Sequence, residues 1–542
     1  MAIKICGNTV LPNTNGASGN NISIGTNSGL QSVTTGENNI AMGPMAGFCN
    51  TIGSDNFFAG QCAGFFNTTG SWNTFFGVGA GCSNTTGCHN NFFGRYAGRN
   101  NSSGVHNIFF GQCAGFCNAT GGHNFIAGFC AGFFNTASNN IFIGCLAGCS
   151  NTTGSYNNFF GQYSGRSNTS GTGNNFFGRC AGASNTTGCY NNFFGRYAGR
   201  LNTTGCHNNF IGCGAGRSNT IGSYNNFFGR SAGCANTFGC HNIFIGLCAG
   251  STNSSGCYNF FAGHCAGRNN SSGVHNIFFG QCAGFCNAIG GHNFFAGLCA
   301  GFTSTTSHNI FIGQLAGCST SAGGHNFFAG QYSGRSNTTG CYNNFFGRCS
   351  GQSNTIGLDN NFFGRYAGRN NTTGCCNTFI GSCAGMCNTI GSNNIFFGFL
   401  AGTGGTGLVN NTTECNRIIM GNSSHTLSCI QTAWTAVSDI RDKCIFGPVP
   451  HGRGFLNNIN PIVYSFKNRT TNEITDEFKR YGFNAQEIMK LEGDEPVIVN
   501  SNNPDKLGLT TDYLIPILVN AIKELSFEIN LLKQRVDILE NK

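Results

Sequence analysis

The chain has 542 residues, of which 85 are Gly, 53 Phe and 32 Cys, while only 9% are charged and the net charge is +9. An ordinary globular chain is about 25% charged and about 7% Gly. The balance excludes collagen, because Pro is only 8 and Gly does not recur at every third position. It excludes simple disorder, because so many Phe would stay in water, and no apolar run reaches the ~18 residues of a membrane helix.

Charge divides the chain. Residues 1–428 carry four acids, Glu37, Asp55, Asp359 and Glu414, against 15 Lys and Arg; residues 429–542 carry 15 acids against 13 Lys and Arg. A long, nearly acid-free region therefore precedes a small domain of ordinary composition, with a boundary near 400–437. The opening MAIKICGNTV has no apolar signal region, so assembly in a reducing compartment is expected. Residues 1–19 form an N-terminal segment.

From residue 20 to 402 the sequence repeats. The motif is Asn-(Asn/Ile)-Phe-Phe-Gly-x-x-Ala-Gly followed by x-x-Asn-Thr-Thr-Gly, and its first Gly recurs in 23 units from Gly25 to Gly398. Nearly all steps are 17 residues; one is 18, and two, 128 to 144 and 297 to 313, are 16. These two lie 169 residues apart, and 99–150 nearly matches 268–319 at that same offset, so a ten-unit block was duplicated. One unit is too short to bury its own apolar face, and stacking the units builds a continuous core.

The residue two before the motif Gly is Phe in 20 of the 21 units from Gly60 to Gly398, the exception being Ile126, and the residue one before is usually apolar as well. Neighbours on a strand point to opposite faces. One apolar face then fills the coil, and the other needs a partner, which a trimer around a common axis supplies. At ~4.8 Å per coil the 23 units make a rod of roughly 110 Å. The fold expected is mainly β, a trimeric β-roll or β-helix solenoid. The units NNISIG and NNIAMG, with their small-residue corners, resemble the head repeats of trimeric autotransporter adhesins, and that resemblance implies a trimeric β-roll.

Stacking turns positions into columns. Arg follows the motif Gly at 95, 179, 196, 230, 348 and 365, and stands five after it at 99, 166, 200, 217, 268, 335 and 369. These form either a basic stripe for an anionic glycan or nucleic acid or a solubilising surface for a Phe-rich rod. The second reading is preferred here, since no aromatic-basic nucleic-acid motif accompanies them. Ten Cys stand two after the motif Gly, including Cys248, Cys265, Cys282 and Cys299, and seven stand six before it, such as Cys88, Cys206 and Cys240, some followed by His (His89, His207, His241). Recurring Cys-His pairs read as drift at a tolerant position rather than as convergent metal ligands. No cofactor and no metal are expected, and stacked thiols act as small apolar groups. The many Asn-x-Ser/Thr sequons read as turn residues. A glycan-cleaving rod needs paired carboxylates, and the four scattered acids argue against one.

Residues 403–437 read as a linker or collar containing GTGGTG, and 438–542 as a small α+β domain. This last domain holds Ser-Asp-Ile-Arg-Asp-Lys at 438–443, then FLNNINPIVYSFK, RYGFNAQEI and a final helix. Leu518, Ile522, Leu525, Ile529, Leu532, Val536 and Leu539 alternate in steps of four and three, a coiled-coil seam within 514–540. The ordered set SDIRDK, Pro461–Tyr464, GFNAQE and the AIKEL helix resembles the C-terminal intramolecular chaperone domain of phage endosialidases and other tailspikes and fibres. The resemblance implies a homotrimer whose C-terminal domain guides folding of the β-rich stalk and then releases itself at Val437–Ser438, with Ser438 as nucleophile and Lys443 as general base. A Ser hydroxyl needs such a base, and a Lys serves when desolvation or a nearby cation, here Arg441, disfavours its charge. Asp439 and Asp442 are expected to cap rather than catalyse.

The function expected is a structural fibre or spike of a virus, a homotrimer in the virion assembled in the host cytoplasm. Its enzymatic part is a single-turnover Ser-Lys autoprotease acting on itself. A host-surface glycan or receptor is an expected partner; membrane insertion and nucleic acid are not. The alternatives are a cellular surface adhesin and a basic rod that binds an anionic polymer.

Overall fold

A computed structural model describes the backbone strands Ile3–Ile5 and Asn8–Pro12 and residues 20–28, 35–403, 412–422, 425, 438–467, 471–474, 478–494, 496–501 and 507–541. The chain divides into two compact units, Met1–Ala401 with Thr412–Met420, and Gly402–Asn411 with Gly421–Lys542.

The first unit is a parallel β-solenoid. Three-residue strands run from Ile22–Ile24 to Ile395–Phe397, one per repeat, each in parallel register with the next, as in Asn192↔Asn209, Phe193↔Phe210 and Phe194↔Ile211. At the N-terminal end Asn8–Pro12 pairs antiparallel with both Ile3–Ile5 and Ile22–Ile24. At the other end one more strand, Ile418–Met420, pairs in parallel with Ile395–Phe397. The rod thus gains a coil beyond residue 402, reached by a longer step.

The middle residue of each strand points inward. The Phe column is fully buried, its rings stacked at 4.8 Å for Phe193 and Phe210 and again for Phe210 and Phe227. Opposite it runs a column of small residues, such as Ala198 and Ala215, also fully buried. The Gly that follows closes the coil: Gly199 has φ +54°, and a Cβ there would lie 2.4 Å from the Phe193 ring. The motif Gly makes the corner after the strand, since at Gly195 (φ +138°) a Cβ would lie 2.6 Å from the Gly212 carbonyl oxygen. Both positions therefore exclude a side chain.

The rest of the core is polar. Two Asn columns per coil are fully buried, and each is satisfied by a ladder along the rod. Asn185 Nδ2 donates to Asn168 Oδ1 at 2.7 Å and to the Gly188 carbonyl at 3.0 Å. In the second column the Asn191 backbone N–H donates to Asn174 Oδ1 at 3.0 Å, and Asn191 Nδ2 donates to the Gly205 carbonyl at 2.8 Å. Buried amides are tolerated only when their donors and acceptors are paired. The Asn of the NTTG segment, expected from the sequence to be a turn residue, is thus a core residue. Its Nδ2, as at Asn67 and Asn185, is closed to a glycosylating enzyme in the folded rod.

One ladder is broken. In the second copy of the duplication the Asn column carries Ser304 and Thr320 where the first carries Asn135 and Asn151. Asn287 Oδ1, Ser304 Oγ and Thr320 Oγ1 are buried there without a partner among the described residues.

The outer face of the strands is half exposed. Its third position carries Phe or Ile, such as Phe76, Phe110 and Phe194, 57%, 43% and 38% exposed. Where the first residue is Phe the third is Ala: Phe57–Ala59, Phe125–Ala127, Phe260–Ala262, Phe294–Ala296 and Phe327–Ala329. Elsewhere the third residue is large. The first position is Asn in eight of the coils, and from Asn158 to Asn226 these side chains form a further amide ladder, in which Asn192 Nδ2 donates to Asn209 Oδ1 at 2.7 Å.

Among its described residues the second unit contains two antiparallel strand pairs, Pro461–Tyr464 with Arg480–Phe483 and Val499–Asn500 with Gly508–Leu509, and the α-helices α1 (Arg453–Leu456), α2 (Ala485–Glu492) and α3 (Leu514–Glu540). Its core is Ile488, Ile498, Val499, Leu514 and Ile517, with Phe455, Leu456 and Phe483 packed around them. Asn484 of the GFNAQE motif caps α2, accepting from the Gln486 N–H at 3.0 Å. Gly482 of the same motif lies against Tyr464, where a Cβ would meet the ring at 2.7 Å. Among the described residues no helix is long and apolar enough to cross a membrane.

Candidate functional site

Ser438 opens the described part of the SDIRDK segment. Asp439 follows as the N-cap of a 3₁₀ turn over Ile440–Asp442, accepting from the Arg441 backbone N–H at 2.9 Å. The turn reverses the chain, so Lys443, five residues on, returns to Ser438, and Lys443 Nζ is hydrogen-bonded to Ser438 Oγ. Both candidate site residues are exposed in the single chain. Val437, the other side of the expected scissile bond, lies outside the described residues.

Arg441 is engaged elsewhere. Its Nε donates to Asp439 Oδ1 and Oδ2 at 3.0 and 3.1 Å, and its Nη2 lies 2.5 Å from Oδ2. The guanidinium holds the Asp439 carboxyl below the usual carboxylate range, first through the side-chain bonds and then through the Arg441 N–H. The cation that the sequence offered as a neighbour for Lys443 is therefore neutralised by Asp439. Chemically, the pair can pass a proton from a Ser hydroxyl to a Lys amine once that amine is neutral.

The seam of α3 is exposed along its length. Leu518, Ile522, Leu525 and Ile529 are 46%, 60%, 42% and 49% exposed, and Leu532, Val536 and Leu539 are exposed as well. The adjoining stripe faces the domain's own core: Leu514, Ile517 and Ala521 are buried, Asn520 Nδ2 donates to the Val449 and His451 carbonyls at 3.0 and 3.2 Å, and Glu524 accepts from the Arg453 N–H at 2.7 Å. Glu528 pairs with the Arg453 guanidinium. The helix thus has one apolar face packed within the domain and one open.

On the rod, the Cys column six before the motif Gly has a defined role. The Cys189 N–H donates to Cys206 Sγ at 3.1 Å, the Cys206 N–H to Ser223 Oγ at 3.0 Å, and the Ser223 N–H to Cys240 Sγ at 3.4 Å. Each side chain donates in turn to a carbonyl two residues earlier, as Cys206 Sγ does to Thr204 at 3.4 Å. Cys and Ser interchange because each supplies one acceptor and one donor, while Val105, Gly122, Val274, Gly291, Gly324 and Leu358 at the same place in the period show that the position tolerates other residues too. The next position is a column of exposed rings. Tyr190, His207, Tyr224, His241 and Tyr258 stack at 4.9–5.2 Å, and the stack continues through His275, His292, His308 and His325 to Tyr342. A shorter stack joins Trp72, His89, His106 and His123. The signal of this column in the sequence is an aromatic residue or His recurring at one place in the period. Face-to-face rings do not converge, and among the described residues no three His, Cys, Asp or Glu side chains could share a metal ion. Every described Cys is a free thiol. Burial and neighbouring thiols push Cys130 up to about 11.

No known family model matches the chain, and no curated protein is similar to it.

Proposed function

We propose that the chain is a homotrimeric fibre or spike protein of a virus, folded and trimerised by its C-terminal domain, which then cuts itself off before Ser438. The observation that carries the reading is the open seam of α3, seven heptad positions exposed in a row. A helix that leaves such a seam in water is completed by copies of itself. The rod offers a second surface for assembly. Its outer sheet face carries half-exposed Phe and Ile, such as Phe76 and Phe110, beside a ladder of Asn from Asn158 to Asn226, and a packed neighbour would cover the apolar part. The repeats supply the need for a clamp: near-identical units can pair one coil out of register at little cost.

The contact of Lys443 Nζ with Ser438 Oγ supports the cleavage reading. Ser438 Oγ attacks the Val437 carbonyl carbon, the Val437–Ser438 C–N bond breaks, and Lys443 carries the hydroxyl proton to the departing Ser438 nitrogen. Water then cleaves the ester and restores the hydroxyl. Attacker and target share one short segment, so their effective concentration is high. Because both groups are exposed in one chain, assembly of three chains supplies the burial that makes the Lys a base. Cleavage therefore waits for trimerisation. The test is intact mass of freshly expressed protein beside Ser438→Ala and Lys443→Met. A C-terminal fragment beginning at Ser438 in the parent alone is the expected result; full-length chains in all three defeat the autoprotease.

A further inference from the structure

We propose that one edge of the rod, over the coils of Gly161 to Gly229, is a binding surface for a linear polyanionic polysaccharide, carboxylated or sulfated. Five successive coils place Arg166, Arg179, Arg196, Arg200, Arg217 and Arg230 on two columns, one and five positions after the motif Gly. The columns flank the same turn: Arg196 and Arg200 lie 4.8 and 5.4 Å from the centre of the Tyr197 ring between them, and Arg166 lies 5.8 Å from that of Tyr163. Five of the six are exposed and Arg200 is half buried. None forms an ion pair among the described residues.

The charge is uncompensated at longer range too. Residues 56–358 contain 11 Arg and no Asp, Glu or Lys. Asp55 stands six coils before the patch and Asp359 eight coils after it, ~29 and ~38 Å along the rod at ~4.8 Å per coil. A Debye length at physiological salt is about 8 Å, so neither of these rod carboxylates offsets the patch. Solubility alone asks for dispersed charge of both signs; this is one sign, in register, on a rigid support. The backbone is pinned beneath it, with the Arg200 and Arg217 carbonyls accepting from Ser184 and Leu201 at 2.9 Å.

A row spanning four coil steps, ~19 Å, suits a ligand that is itself a row of anions rather than a single small anion. Polysaccharide is favoured over single-stranded nucleic acid because the latter needs open aromatic faces on which bases stack. Here Tyr197 lies beside the guanidinium groups of Arg196 and Arg200, and the rings of the neighbouring column, Tyr190, His207 and Tyr224, are stacked on one another along the rod. The inference depends neither on self-cleavage nor on a viral origin.

The test is binding of the full chain to heparin, to polygalacturonate and to length-matched single- and double-stranded DNA over a salt series. The variants are Arg179→Gln/Arg196→Gln/Arg230→Gln, the same three positions changed to Lys, and Arg348→Gln/Arg365→Gln outside the patch, each checked for an unchanged circular dichroism spectrum. Expected are salt-sensitive binding of at least one polysaccharide, weakened ~10-fold or more with a shallower salt slope in the triple Gln variant, and little change in the other two. The Lys variant keeps the readout if the Gln variant fails to fold. Absence of salt-sensitive polysaccharide binding, or equal binding by the triple Gln variant, overturns the site. Tighter binding of DNA at matched salt overturns the ligand class.

Discussion

Two positions in the coil take a left-handed backbone and in most coils carry a residue other than Gly, as Tyr190 (φ +56°) and Tyr197 (φ +61°) do in one repeat. Such residues cost of order 1 kcal/mol or more each and persist only where the surroundings over-determine them. Here the determinants are the ladder hydrogen bonds on either side, the Tyr190 N–H donating to the Thr172 carbonyl at 2.9 Å and the Tyr197 N–H to Arg179 at 3.0 Å. The first of these positions sets the ring column outward, and its imidazoles sense each other. His106 is held below the ordinary His value, first by desolvation and then by His89 and His123. A His whose folded value is depressed binds its proton more readily in the unfolded chain. Its contribution is therefore fully present above the ordinary value of ~6.5 and lost as pH falls through the folded value. Protection factors across residues 85–124, with the intrinsic pH dependence of exchange divided out, are expected to fall between neutral and mildly acidic pH, most of all around His106. Protection there that is flat with pH would remove imidazole repulsion as a factor.

Coil by coil, the rod is an accounting of buried amides. The intact first copy of the duplication shows that Asn fits at both defective positions of the second. Asn151 Nδ2 donates to Asn135 Oδ1 at 2.6 Å and to the Gly154 carbonyl at 2.8 Å, while Ser304 and Thr320 leave three polar atoms unpaired. A buried unsatisfied group costs about 1–3 kcal/mol. Ser304→Asn with Thr320→Asn is accordingly expected to stabilise the coils around Gly301–Gly323, read as slower hydrogen exchange there and unchanged exchange near Gly132–Gly154. Faster exchange would mean that the shorter 16-residue step, rather than the missing amides, sets the local geometry.

Across the whole molecule, open apolar surface recurs in both units, along the rod's outer sheet face and along α3. If α3 is the clamp, Leu525→Asp with Leu532→Asp breaks the seam and leaves the domain core untouched, because Leu514, Ile517 and Ala521 face the other way. Sedimentation is expected to show loss of the trimer, and intact mass is expected to show uncut chain although Ser438 and Lys443 are unchanged. A variant that stays trimeric removes the clamp from α3; one that is monomeric yet cut separates cleavage from assembly.

The sequence by itself determined what stacks on what. A period of 17 residues aligns like with like, and strand alternation sends the Phe two before each motif Gly and its usually apolar neighbour to opposite faces, so one of the two fills the coil. The seam of α3 was equally plain, since a heptad is read from spacing alone. Tertiary structure decided where the remaining columns point and what they bond. Asn of NTTG has the chemistry of a turn residue, and only closure of the coil turns it inward onto the next Asn. The return of Lys443 to Ser438, and the capture of Arg441 by Asp439, depend on a 3₁₀ turn of three residues. So short a turn is set by one capping carboxylate and leaves no periodic signal. The gathering of six Arg on one edge likewise needed the coil, because residues one and five after a Gly share a face only once the left-handed turn between them is formed.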